Sequence, residues 1–77
     1  MNDTENFILL DQDQIRIVNF LYEKKRAEWP EISAQVKGEN PFSSICSLIG
    51  VCYVEKNKRW YSLTEEGKKY MDKIEKL

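Results

Sequence analysis

Four consecutive residues, Lys56-Asn57-Lys58-Arg59, set three cations and an amide side by side between two runs of β-branched and aromatic residues. Lysine and arginine neutralise phosphates, and an arginine can also enter a narrow minor groove. An ordinary charged hairpin tip is the alternative use of such a cluster. Asn40 heads a second set, with Ser43, Ser44 and Ser47 following at spacings that share one side of a helix. Serine hydroxyls contact phosphates or bases but discriminate poorly among bases, where bidentate side chains discriminate well. Free N–H groups at the start of such a helix suit a phosphate. A solvated face, or a small-residue surface packed on a partner, is the other reading of these serines.

Other chemistry finds little support. The chain has no histidine and two cysteines, Cys46 and Cys52. Two cysteines make no disulfide framework, and no ligand spacing suggests zinc. Both lie in apolar runs and are expected as buried thiols in a reducing compartment. Without a Gly-rich phosphate loop, or a Ser or Cys beside a recognisable base, the expectation is a non-enzyme with no cofactor and no metal.

The 77 residues suffice for one domain, with 42% apolar and 32% charged residues as in soluble globular proteins. A chain this short buries a modest share of its surface, so a second subunit would help stabilise it. Net charge is −1, but residues 1–14 carry −4 and residues 15–77 carry +3. The body is mildly basic behind an acidic lead-in, and steering toward polyanions depends on local patches. Phe7-Ile8-Leu9-Leu10 is too short for a signal core or a membrane span, so the expected location is cytoplasmic.

The elements that must position these residues read as helix, helix, helix, hairpin, helix. Asp11 and Gln14 have capping-box spacing ahead of a stripe of Ile15, Val18, Leu21 and Tyr22, widened by Ile17 and Phe20. Lys24-Lys25-Arg26 is expected to end that helix, its charge suiting the C-terminal dipole end or flanking a nucleic-acid backbone. Trp29-Pro30-Glu31 opens a short second helix, with Ile32 and Val36 on one face and Gly38 as a left-handed stop. Trp29 is placed to pin that helix start against the sheet. Asn40-Pro41 opens the third, with Phe42, Ile45, Leu48 and Ile49 as buried face and Gly50 as its end. Residues 51–56 and 59–63 form a hairpin. A turn at Asn57-Lys58 pairs Val54 with Tyr61 and Cys52 with Leu63, leaving Tyr53, Glu55, Trp60 and Ser62 outside; a four-residue loop over Lys56–Arg59 is the alternative. Thr64 caps the last helix, whose lysines form a solvated face.

The segment Trp60-Tyr61-Ser62-Leu63-Thr64-Glu65-Glu66-Gly67-Lys68-Lys69-Tyr70 resembles the end of the wing in winged helix-turn-helix regulators of the MarR-like and PadR-like kind. There an aromatic strand runs into Leu-Thr-x-x-Gly and a lysine-rich helix. Glu31-Ile32-Ser33-Ala34 resembles the start of the second helix in such domains, and Ile49-Gly50-Val51 the junction of recognition helix and wing. The resemblance implies an α+β, mainly α fold over residues 11–77: a three-helix core, a hairpin wing and a C-terminal helix. Residues 1–10 are left as a partly disordered or interface segment. It also implies a transcriptional regulator, a homodimer binding double-stranded DNA through the third helix and the wing. Carried over by position, the DNA-binding residues are Asn40, Ser43, Ser44, Ser47, Lys56, Asn57, Lys58 and Arg59. Phe7, Leu9, Tyr53 and Trp60 are interface candidates. The alternative is a protein–protein interaction module on the same fold, an adapter or anti-regulator that does not touch DNA. No membrane partner is expected.

Overall fold

Asp11 caps the first helix, α1 (Gln12–Lys24), with its carboxylate on the Gln14 N–H at 2.8 Å, while the Gln14 side chain accepts the Asp11 N–H at 3.0 Å. The computed structural model describes residues 10–38 and 40–75. From α1 the chain passes through β1 (Arg26–Glu28), α2 (Trp29–Ser33), α3 (Pro41–Gly50), β2 (Val54–Asn57) and β3 (Trp60–Leu63) to α4 (Glu65–Glu75). The architecture is α+β, with the helices around a three-stranded antiparallel sheet of order β1-β3-β2. No helix among the described residues is long and apolar enough to cross a membrane.

The buried stripe of α1 centres on Ile17, Val18 and Leu21, which leaves Ile15 at its rim and 36% exposed. The helix ends at Lys24, two residues before the end of its basic run. Lys25 adopts φ 82° as the C-cap, its N–H bonded to the Leu21 carbonyl at 2.8 Å, and the chain turns directly into β1. That strand is absent from the sequence reading. Arg26 stands opposite Ser62, Ala27 opposite Tyr61 and Glu28 opposite Trp60, and Ala27 is fully buried.

Pro30 sits in the first turn of α2, where a missing N–H costs nothing. The helix stops at Ser33, well before Gly38, and no described glycine has positive φ, so Gly38 is not a left-handed stop. The N–H groups of Lys37 and Gly38 instead donate to the two oxygens of Asp13 at 3.0 and 3.1 Å. This carboxylate ties the loop before α3 to the first turn of α1. Asn40 caps α3 by accepting the Ser43 N–H at 3.0 Å. Ile45 and Leu48 are its buried residues, whereas Phe42 is 63% and Ile49 37% exposed, because the core contacts only a narrow side of this helix.

The hairpin turn is Lys58-Arg59, one residue later than expected, with Val54 opposite Leu63 and Asn57 opposite Trp60. A two-residue shift in pairing preserves which side chains face inward, so Val54, Tyr61 and Leu63 still reach the core. Among residues 57–60 only Lys58 has positive φ, at 61°. Ahead of the strand, Cys52 has φ 66°. That kink takes Tyr53 inward, 7% exposed and 4.9 Å from the Tyr70 ring, and leaves Cys52 at the surface. Cys46 is also exposed, on α3, so neither thiol is buried as expected.

Candidate nucleic-acid interface

The strands β2 and β3 carry the basic run to the hairpin end of the sheet, and β1 sets Arg26 opposite Ser62, on the face that also holds Glu55, Asn57 and Trp60, whereas Lys56 stands opposite Tyr61 on the other face. Lys56, Asn57, Lys58 and Arg59 are all exposed. The Arg59 guanidinium meets Glu28 at 3.3 Å and lies 5.7 Å from the Trp60 ring centre. Arg26 sits over the same indole at 4.3 Å. Lys56 approaches the Tyr61 ring at 5.9 Å. Lys25, Arg26 and Lys58 have no ion pair among the described residues, so their charge is available to a partner.

These residues enclose a shallow groove of about 370 Å³, lined by Lys25, Arg26, Asn57, Lys58, Trp60 and Ser62. Comparison with protein-family models, with curated proteins and with solved structures finds no match to the chain. What the groove can do follows from its own chemistry. Three cations, one amide, one hydroxyl and one indole suit a polyanion that also carries flat, hydrogen-bonding groups.

The second set stands apart from this groove, none of whose lining comes from α3. Asn40 is exposed, but its side-chain oxygen is occupied by the cap. Ser43 and Ser47 are exposed and Ser44 is half-buried. They share the surface of α3 with Phe42, Cys46 and Ile49, and the helix carries no charged residue. Such a face can meet a phosphate through hydroxyls, yet it offers no bidentate group for reading bases.

Of the interface candidates, Tyr53 is a correction: it is buried against Tyr70 and offers no outer surface. Trp60 is half-buried, with its exposed part in the groove. Phe7 and Leu9 lie outside the described residues. Trp29 does pin the start of α2 to the sheet, 6.1 Å from the Tyr61 ring and 6.0 Å edge-on to Phe42. Lys25 and Arg26 are what sequence reasoning underused. Taken as a helix end, they belong instead to the groove, and the signal that could have placed them is the alternation Arg26-Ala27-Glu28, with one small apolar residue between two charged ones.

Proposed function

We propose that the chain is a winged helix protein that binds double-stranded DNA, with the β2–β3 hairpin as its wing. The observation that carries this reading is the convergence of Lys25, Arg26 and Lys58 on one groove, with Lys56 and Arg59 exposed on the same hairpin. The order of elements and the placing of β1 beside β3 also support it. In this reading the wing supplies phosphate contacts. The α3 surface lies against the duplex without a strong base code, so binding is semi-specific.

Titration of labelled random-sequence duplex at low and moderate salt tests it. Affinity should fall steeply with salt, with a slope matching about four to six phosphates per domain. The double change Lys58→Ala, Arg59→Ala should weaken binding to all sequences alike. Absence of binding at low salt, or a double variant that binds like the parent, overturns the assignment.

One observation favours a second reading, a protein-interaction module. The exposed side of α3 is uncharged and includes Phe42 at 63% exposure. A partner docking there would be sensitive to Phe42→Ser and indifferent to salt, the reverse of the pattern expected of the wing.

A further inference from the structure

The groove beside the wing does not end at Ser62. A second hollow, of about 570 Å³, is lined by Leu21, Tyr22, Lys25, Glu55, Ser62, Leu63 and Lys68. Lys25 and Ser62 line both. The two hollows share that wall and together make a channel from the first turn of α4, past the core residues Leu21 and Leu63, to the hairpin tip. Along it stand four cations, Lys68, Lys25, Arg26 and Lys58, and one carboxylate, Glu55. Beyond Trp60, Glu28, Pro30 and Glu31 line a separate small hollow, where Glu28 is ion-paired with Arg59 and Glu31 with Lys24.

We propose that this channel binds a segment of single-stranded nucleic acid. The backbone runs over Lys68, Lys25 and Lys58, and an unpaired base stacks on Arg26. The charge ratio selects a polyanion. The choice of a single strand rests on the Arg26–Trp60 pair. With its guanidinium carbon 4.3 Å from the indole centre, Arg26 sets a second planar group over the Trp60 ring. Arginine planes and aromatic rings both take unstacked bases, which a duplex keeps inside its own stack. Asn57 and Ser62 line the same channel with uncharged donors and acceptors for a base edge.

Two of the three described non-glycine residues with positive φ, Lys25 and Lys58, line this channel. Such backbone is costly for a residue with a Cβ, and costly backbone persists where a side chain serves a purpose. The inference is distinct from the duplex reading in its ligand and in Lys68, although Lys25, Arg26 and Lys58 serve both.

The test is a titration with an oligothymidylate of about eight nucleotides, a length within the usual site size for such grooves. Tryptophan fluorescence should be quenched in the native chain and not in Trp60→Phe, where Trp29 remains as the reporter. Arg26→Lys keeps the charge but loses the plane, and should weaken binding about tenfold. Lys68→Gln, remote from the wing tip, should lower the salt slope by about 0.7. All three positions are at least partly exposed, and a melting curve on each variant checks that the fold is intact. The proposal is overturned if saturation leaves Trp60 fluorescence unchanged, or if Arg26→Lys and Lys68→Gln bind the oligonucleotide like the parent. It is equally overturned if a polyglutamate peptide quenches as strongly at the same ionic strength, which would make the channel an acidic-peptide site. Single-strand binding that survives the loss of all duplex binding sinks the wing reading alone; duplex binding with no effect of Arg26→Lys or Lys68→Gln on either ligand sinks the channel alone.

Discussion

Gly67 lies so close to Tyr53 that a Cβ built on it would stand 2.2 Å from the Tyr53 carbonyl oxygen. The obstacle is backbone, held by the Thr64 N–H at 3.0 Å, so it cannot swing aside as a flexible side chain would. Alanine normally stabilises a helix over glycine by about 1 kcal/mol. Here the clash reverses the sign. Gly67→Ala should destabilise the fold by about 1–3 kcal/mol, the usual cost of overpacking, read as a lowered urea midpoint. A higher midpoint would mean that α4 does not pack on the Tyr53 backbone in this way.

Thr64 joins the hairpin to α4 through one hydroxyl. It accepts the Gly67 N–H at 3.1 Å and donates to the Cys52 carbonyl. Thr64→Val keeps the shape and loses both bonds, at an expected cost of about 1–2 kcal/mol. Thr64→Ser should restore most of it. Equal stability of the valine and serine variants in denaturant would show that the hydroxyl is dispensable.

Asp13 gives the fold an acid-sensitive fastening. The Lys37 N–H first, then the Gly38 N–H and the Arg16 guanidinium, hold its carboxyl below the ordinary value of 3.8, against a partial loss of hydration that pushes the other way. A carboxyl whose folded pKa is depressed contributes stability above its unfolded pKa, and that contribution is lost as pH falls through the folded value. Melting temperature should therefore decline on acidification below 3.8 more steeply in the native chain than in Asp13→Asn. Parallel declines would show that the loop before α3 does not depend on this carboxylate.

The caps were legible in the sequence because each is a local bond between a side chain and a backbone N–H three residues on. Asp11, Asn40 and Thr64 all act as their spacing suggests. β1 left only the three-residue alternation Arg26-Ala27-Glu28, which buries one small side chain and is too short to mark a strand without β3 beside it. The same distinction governs the candidate site. Lys56 to Arg59 stand out as a contiguous run, whereas their union with Lys25 and Arg26 depends on pairing between strands more than thirty residues apart. Tyr53 was misplaced for a related reason. The turn that takes it inward rests on Cys52 at φ 66°, a conformation that cysteine does not announce.

Lys25 offers a test that separates backbone from charge. At φ 82° it occupies the helix C-cap in the half of backbone space that glycine favours. A left-handed conformation costs an L-residue roughly 1–2 kcal/mol. Glycine escapes that cost but gives back about 0.5–1 kcal/mol through the freedom of its unfolded chain. Lys25→Gly should therefore raise stability by about 0.5–1 kcal/mol, while Lys25→Ala, which keeps the Cβ, should change it little. Both substitutions remove the same cation from the sheet's outer face, so both should weaken oligothymidylate binding to the same degree. A glycine variant no more stable than the alanine one would mean that the chain does not turn from α1 into β1 through a strained residue. It would also remove the reason for regarding a lysine at this position as kept for its charge.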